Sequence, residues 1–120
     1  MRVVVDGANV VGSRPDGWWR DRPAAAQRLA DALRAKLATE PELTVVLVLE
    51  GAARAGLPEA SDGALTVVHA PGSGDDEIVR QSVGADLVVT ADRELRGRVA
   101  PVACTGPSWA WAGPACSPIS

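Results

Sequence analysis

Four short apolar runs, rich in valine, constrain the fold of this chain more than any other feature. They cover residues 3–5, 44–49, 65–68 and 87–89, and their apolar residues are continuous rather than alternating. Such runs are typical of parallel strands that are covered by helices on both faces. A fifth, weaker candidate at residues 99–103 is interrupted by Pro101, which favours an edge strand.

Helical patterns lie between these runs. The first helix should begin near Pro23 and end before Pro41, because apolar residues recur there at helical spacing: Ala26, Leu29, Ala30, Leu33 and Leu37. A second helix should span about residues 74–84, with Gly84 ending it and three side chains facing inward: Ile78, Val79 and Val83. A short third helix should run from about residue 92 to residue 97.

Strands that alternate with helices imply right-handed crossovers and helices on both faces of a sheet. We therefore expect a single α/β domain of three layers over residues 1–104, with a mainly parallel sheet of four to five strands. Residues 105–120 are rich in Gly, Pro and Ser and should form an irregular tail packed on the domain. In this tail, Trp109 and Trp111 more readily cover the sheet edge than bind a base.

The composition bounds the location and the class of the protein. The chain has 120 residues, of which 47% are hydrophobic, enough for one modest core. No apolar run is long enough to span a bilayer, and the first residues lack the apolar core of a signal peptide. We therefore expect a cytoplasmic protein with no membrane partner. Its two cysteines, Cys104 and Cys116, should be free thiols, and no Cys/His cluster has zinc-ligand spacing.

Acidic residues follow the ends of the predicted strands. Asp6 follows the first run, Glu50 the second and Asp92 the fourth, while Asp75 and Asp76 precede the second helix. Because the carboxyl ends of parallel strands share one edge, these side chains should converge. Two carboxylates about 5 Å apart repel by roughly 3 kcal/mol at an effective dielectric of about 20. A bound Mg²⁺ or Mn²⁺ would offset this repulsion, since both ions prefer carboxylate and water ligands.

Each acid can also be explained by a structural role, without catalysis or metal binding. The acids at residues 75–77 suit a helix N-terminus capped by Ser73, and Asp92 suits an N-cap. Of the three consecutive acids, Glu77 should simply point to solvent. Asp6, with the glycine after it, suits a plain turn. The joint placement of these acids after different strands favours a functional site over the separate explanations.

Basic and aromatic residues are concentrated early in the chain. Six of the 12 basic residues lie between residues 14 and 36. Arg14, Arg20 and Arg22 stand beside Trp18 and Trp19, a mixture that could follow a single RNA strand through charge and stacking. Packing of the two tryptophans onto the core or a dimer partner is an equally open alternative. The formal net charge of -3 does not exclude a polyanion, because the predicted acidic site accounts for more than that charge.

Motifs of several other phosphate-handling classes are missing. Residues 7–12 have the glycine spacing of a P-loop, but Ser13 and Arg14 stand where Lys-Ser or Lys-Thr is needed. No dinucleotide-binding fingerprint follows the first strand. Ala8 rules out a D-x-D phosphatase motif, and a receiver domain would need a lysine after the last strand, whereas the one lysine is Lys36. The single histidine, His69, follows the third run and is more readily structural than a substrate contact.

Three segments carry a family resemblance. Residues 6–12 read DGANVVG, residues 75–79 read DDEIV and residues 88–95 read VVTADREL. In this order they resemble the D-G-x-N-[VL] opening, the D-D-x-[IL] helix start and the V-V-T-x-D-R-x-L segment of NYN domains, a branch of the PIN-like nuclease superfamily. Together they bracket most of the chain.

The resemblance implies a PIN-like fold and a Mg²⁺- or Mn²⁺-dependent ribonuclease activity. It implies metal ligands at Asp6, Asp76 and Asp92. Asp75 would be an additional ligand or would support one, and Asn9 would orient a ligand or hold a metal-bound water. Adjacent helix residues do not share a face, so the two neighbouring aspartates should have unequal roles.

One feature of the family pattern is missing. Many PIN-like domains carry a further acid on a helix in the middle of the chain, and no position here matches it. Glu50 is the nearest substitute. Both one-metal and two-metal chemistry therefore stay open.

The expected function is metal-dependent hydrolysis of phosphodiester bonds in single-stranded RNA by an endoribonuclease that uses an activated water. Arg93, Arg14 and Arg20 are the expected substrate-binding residues, although Arg93 could instead pair with Glu94 or Asp86. The alternative is an RNA-binding or protein-interaction module of the same fold without turnover. Exonucleolytic cleavage, a homodimer and a regulatory protein partner are left open.

Overall fold

A computed structural model describes residues 1–111 and contains one six-stranded sheet with helices on both faces. The strands are β1 (Arg2–Asp6), β2 (Thr44–Leu49), β3 (Ala60–Asp62), β4 (Leu65–His69), β5 (Leu87–Val89) and β6 (Ala103–Thr105). Their spatial order is β3-β4-β2-β1-β5-β6, and all neighbours are parallel except the pair of β3 and β4. The expected α/β class and mainly parallel sheet are confirmed.

The expected number of four to five strands was wrong. The additional strand β3 pairs antiparallel with β4 through a turn at Gly63, whose φ of 61° lies in the left-handed region. All three residues of β3 are exposed, so no apolar run indicated it. The last strand β6 also begins later than the predicted one at residues 99–103, because the chain is helical up to Val99.

The helices are α1 (Gly7–Gly12), α2 (Arg22–Thr39), α3 (Gly74–Gln81), α4 (Arg93–Val99) and α5 (Ser108–Trp111), with 3₁₀ turns at Trp18–Arg20 and Gly51–Gly56. The predicted helix that begins near Pro23 and ends before Pro41 is confirmed as α2. The predicted inward position of Val83 was wrong. Because α3 ends at Gln81, Val83 lies beyond its last turn and is 81% exposed.

Two apolar cores lie on opposite faces of the sheet because side chains of a strand alternate between its faces. Val3 and Val5 belong to the core beneath α2, together with Leu29. Val4 belongs to the core beneath α3 and α4, together with Ile78 and Leu95. The three-layer arrangement therefore follows from the continuous valine runs, which supply apolar side chains to both faces.

Residues 105–111, expected to be irregular, complete β6 and form α5. The Trp111 indole Nε1 donates a hydrogen bond to the Val10 carbonyl oxygen at 3.2 Å, and the Lys36 ammonium lies 4.6 Å from the Trp109 ring centroid. The two tryptophans thus contact α1 and α2 and pack against the core beneath α2. The remainder of the expected tail, including Cys116, lies outside the described residues, whereas Cys104 is a free thiol.

Within residues 1–111, none of the helices is both long enough and apolar enough to cross a bilayer.

Candidate functional site at the carboxyl edge of the sheet

The carboxyl ends of the parallel strands bring polar residues to one face of the sheet. Val4, Val48 and Val88 point into the core beneath α3 and α4. Asp6, Glu50 and Thr90 each follow one of these valines by two residues, so alternation directs them to the same face. In the sheet, β2 lies on one side of β1 and β5 lies on the other, so the strand order reverses at β1. Open α/β sheets bind ligands at such a switch point.

Asp6 is the most buried acid of this edge, with 5% of its surface exposed. Its Oδ2 accepts a hydrogen bond from the Thr90 hydroxyl at 2.9 Å, and its Oδ1 accepts one from the Asn9 backbone N–H at 3.3 Å. Asp6 is therefore both the N-cap of α1 and a side chain fixed from β5. These contacts hold its carboxyl group in one orientation.

Thr90 and Asn9 join β1, β5 and α4 into one network. The Thr90 hydroxyl oxygen accepts from the Asp92 backbone N–H at 3.2 Å while it donates to Asp6. The Asn9 side-chain oxygen accepts from the Ala91 N–H at 2.8 Å. Asp92 caps α4 through its Oδ1, which accepts from the Leu95 N–H at 3.1 Å. Asp92 thus has its predicted capping role and also lies next to the Asp6 network.

Asp75 and Glu50 face Asp6 from α3 and from the end of β2. The pKa of the Asp6 carboxyl is raised from 3.8 to about 6, mainly by burial and also by the charges of Asp75 and Glu50, which together outweigh the lowering effect of its hydrogen bonds. Glu50 reaches the first turn of α3, because Gly74 has no side chain there and a Cβ atom would overlap the Glu50 carboxylate. Asp75 and Glu50 therefore lie near enough to Asp6 for their charges to act on its carboxyl group.

Within residues 1–111, no ion pair joins an arginine or lysine to Asp6, Glu50 or Asp75, and Arg98 pairs with Asp76 while its charge also acts on Asp75. The ion pairs of this part of the chain involve other acids, and the nearby Arg96 uses its Nε to donate to the Thr90 carbonyl oxygen. Carboxylates without an ion-pair partner repel a nearly buried carboxylate beside them. The acidic face is therefore suited to a cationic ligand.

Asp76 is placed differently from Asp75. Its side chain is 75% exposed, and its Oδ1 accepts from Arg98 Nη2 at 2.8 Å. The structure does not bring Asp76 to Asp6. Of the two neighbouring aspartates, it is Asp75 that shares the acidic face.

The expectation that Glu77 points to solvent was wrong. Glu77 is 4% exposed and accepts hydrogen bonds from Arg80 at 2.7 Å and from Gln81 at 2.8 Å. Burial acts to raise the pKa of the Glu77 carboxyl, but the bonds from Gln81 and Arg80 outweigh it and lower the pKa. Glu77 therefore stabilises α3 by accepting hydrogen bonds from two later side chains of the same helix.

The predicted substrate-binding arginines lie at different places around the edge. Arg93 is exposed at the start of α4 and forms no ion pair with Glu94 or Asp86 within the described part of the chain. The Arg14 guanidinium lies 4.3 Å from the Trp111 ring centroid, and that of Arg20 lies 5.8 Å from the Trp19 centroid. Both are exposed, so these stacked cations can contact a ligand.

His69 has a structural role in this arrangement. Its Nε2 lies 2.6 Å from the Leu57 carbonyl oxygen, and its backbone N–H donates to Glu59 Oε2 at 2.8 Å. These contacts tie the segment before β3 to the end of β4.

Thr90 is a residue of this site that no sequence motif indicated. The strand register could have indicated it. Val5 pairs with Val89, so the next residues, Asp6 and Thr90, lie side by side at the ends of adjacent strands. A hydroxyl group directly beside a nearly buried carboxyl is expected to bond to it.

The donor chemistry of the edge fits a hard cation. Carboxylate oxygens such as those of Asp6, Glu50 and Asp75 are the ligands that Mg²⁺ and Mn²⁺ prefer. In the described range, 1–111, no three Asp, Glu, His or Cys side chains are already arranged around a metal position. Metal binding at this edge would therefore require the carboxylates to turn toward one another.

Comparison with known proteins supports the fold. No protein-family model matches the chain. No curated protein matches it either. Among solved structures, it is similar to Rae1 (YacP) from Bacillus subtilis, in the crystal structure of a tryptophan-to-leucine mutant, with 16% sequence identity and a TM-score of 0.61. The match covers 90% of this chain and 70% of that one, and at this identity it concerns the fold alone.

Proposed function

We propose that this protein is a divalent-metal-dependent ribonuclease that hydrolyses phosphodiester bonds of single-stranded RNA. The observation that supports the proposal is the group formed by Asp6, Glu50 and Asp75, which lies at the switch point of the sheet and has no ion-pair partner within residues 1–111. The likeness of three segments to NYN motifs supports the same activity.

In this proposal Asp6 and Asp75 hold a Mg²⁺ or Mn²⁺ ion, with Glu50 and Asp92 as further carboxylates within the same edge. The bound ion would supply an activated water as nucleophile and would stabilise the leaving oxygen. Thr90 keeps the Asp6 carboxyl oriented, and Asn9 links α1 to the loop before Asp92.

The choice of RNA as substrate rests on the surface beside this edge. Arg14, Arg20 and Arg22 each lie over a tryptophan ring, so cations and aromatic faces alternate along residues 14–22 and α5. Such surfaces hold single strands because phosphates contact the cations while bases stack on the rings. Arg93, exposed beside Asp92, is suited to a neighbouring phosphate.

The decisive experiment compares two neighbouring substitutions of identical chemistry, Asp75→Asn and Asp76→Asn. We expect purified wild-type protein to cleave labelled single-stranded RNA in Mn²⁺ and not in EDTA. Loss of residues that merely support metal ligands typically costs 10- to 100-fold, so Asp75→Asn should lower the cleavage rate at least about 100-fold. Asp76→Asn should leave the rate within about threefold, because Asp76 is exposed and paired with Arg98.

Two results would count against this assignment. Cleavage that survives both Asp6→Asn and Asp75→Asn would come from a contaminating nuclease. Loss of activity in Asp76→Asn alone would return the ligand role to Asp76, as the family resemblance implies, and would require its pair with Arg98 to open.

A second candidate is an RNA-binding module of the same fold without turnover. The observation that favours it is the lack of three metal-ligating side chains already in place within residues 1–111. It predicts RNA binding that is the same in Mn²⁺ and in EDTA, with no cleavage products in either.

A further inference from the structure

A small cavity lies beside the acidic edge, on the face of the sheet that α2 covers. Its volume is about 170 Å³, and its walls include Trp18, Arg22, Val11 and Ala53. The backbone of Gly7, which directly follows Asp6, forms part of the same wall. Pockets for drug-sized ligands usually measure roughly 300–1,000 Å³, so this cavity suits a group of about one ring system rather than a whole nucleotide.

Trp18 is held in place before any ligand arrives. It follows Gly17, whose φ of 78° favours glycine, and its ring lies beside Gly12, where an added Cβ atom would be 3.7 Å from it. The Trp19 ring meets it edge-on, with centroids 5.9 Å apart and an interplanar angle of 89°. Trp18 is only half-buried and packs against the core beneath α2. Its ring is therefore a fixed surface on which a flat group can stack.

Trp18 also borders a second, more open cavity of about 370 Å³ that reaches the Asp6 network. Asn9 and Ala91 line this second cavity, and their hydrogen bond joins α1 to the loop before Asp92. The two cavities share Ala8 and Trp18. A strand whose phosphate lies at the acidic edge can therefore place a base at Trp18.

We propose that the cavity beside Trp18 binds one unpaired base of the RNA strand, stacked on the indole, and thereby positions the strand at the acidic edge. This inference rests on the proposed function. The guanidinium of Arg22 lies 5.3 Å from the Trp18 ring centroid and lines the cavity, so it can donate to base acceptors or to the adjoining phosphate. Proteins recognise splayed-out RNA bases with aromatic rings and arginine planes of this kind. A paired base does not fit, since the cavity admits a single ring system.

The test measures binding in EDTA, so that no cleavage occurs. Fluorescence anisotropy compares a labelled single-stranded RNA with the same strand carrying stable abasic spacers, and with its duplex. We expect wild-type protein to bind the base-containing strand about tenfold more tightly than either alternative, a typical gain from stacking one base on an aromatic side chain. Trp18→Leu and Ala53→Met should each lower this ratio at least about threefold, the first by removing the ring and the second by filling the cavity, while stacking on the other tryptophans accounts for what is left.

Ala55→Met is the matched control, because Ala55 is exposed in the same 3₁₀ turn as Ala53 and does not line the cavity. It should keep the tenfold ratio. A ratio near one in wild-type protein, or a ratio that survives Ala53→Met, would overturn the proposal. So would a change in sedimentation caused by Ala53→Met with the ratio unchanged, since the cavity would then belong to a contact between copies of the chain.

The two proposals fail separately. Mn²⁺-dependent cleavage without a preference for bases would remove only the base-binding cavity. A preference for bases that depends on Trp18, without any cleavage, would remove only the nuclease assignment.

Discussion

Two sets of interactions act in opposite directions on the pKa of the Asp6 carboxyl group. Hydrogen bonds from Thr90 and Asn9 favour its charged form, whereas burial and the nearby charges of Asp75 and Glu50 disfavour it more strongly. The result is a pKa of about 6 in the folded state, against 3.8 for an ordinary aspartate. At a pH between these two values, Asp6 keeps its proton in the folded protein and has released it in the unfolded protein.

This difference predicts a pH-dependent stability that Asp6→Asn removes. The unfolding free energy of wild-type protein should fall, relative to that of the variant, as pH rises from about 4 to about 7. The fall should be on the order of 3 kcal/mol, because the folded pKa is raised above the unfolded one and the folded state must ionise at high pH. Urea unfolding of both proteins at several pH values measures it. A free-energy difference that is constant across this range would show that Asp6 is already ionised near pH 4.

The neighbours Asp75 and Asp76 show what a single sequence leaves undetermined at this scale. Both are aspartates in the first turn of α3, and both suit a metal ligand or a helix N-terminus equally well. A rotation of about 100° per residue separates their side chains. Which one faces Asp6 depends on how α3 docks on the sheet, which is a tertiary property.

Helix α3 is docked so closely that its first residue touches the side chain of Glu50. A Cβ atom on Gly74 would overlap the Glu50 carboxylate, which is the free end of a flexible side chain. A substitution here should therefore move Glu50 rather than disturb the helix, in contrast to Gly7, where a Cβ atom would lie 2.5 Å from the Val48 backbone oxygen.

Gly74→Ala should accordingly lower the pKa of Asp6 with little change in stability. The displaced Glu50 charge no longer raises that pKa, and the loss of backbone freedom at a helical glycine offsets the cost of moving the side chain. NMR titration of the Asp6 carboxyl carbon measures the shift. Gly72→Ala is the control, because a Cβ atom there meets open space. An unchanged Asp6 pKa in Gly74→Ala and in Glu50→Gln would show that Glu50 does not act on Asp6.

Among the helices and strands, the sequence predicted best the strands that are buried on both faces of the sheet. The valine runs predicted β1, β2, β4 and β5, because a strand covered on both faces must be apolar throughout. Strand β3 carries no such pattern, and α1 is too short for helical periodicity to show. Both elements are set by their neighbours: β3 by pairing with β4, and α1 by the Asp6 cap.

The whole molecule combines an acidic edge with a basic and aromatic surface next to it. The formal net charge is -3, and Asp6, Glu50, Asp75 and Asp92 are four of its 15 acids. A cation at the acidic edge would reduce both the repulsion among these carboxylates and their repulsion of RNA phosphates. The ion should therefore affect folding stability as well as cleavage.

Mn²⁺ should raise the melting temperature of the wild-type protein at pH 8. A ligand at 100 times its dissociation constant stabilises the folded state by about 2.7 kcal/mol, which corresponds to a rise of roughly 10 °C for a chain of this size. The rise should be smaller at pH 5, where protons compete for Asp6, whose pKa is about 6. Asp6→Asn should abolish the rise, whereas Asp62→Asn, which removes an exposed acid of β3, should keep it. Differential scanning calorimetry at matched ionic strength measures these shifts. An equal rise in both variants would mean that Mn²⁺ acts on the general negative charge of the surface, and the acidic edge would lose its assignment as a metal site.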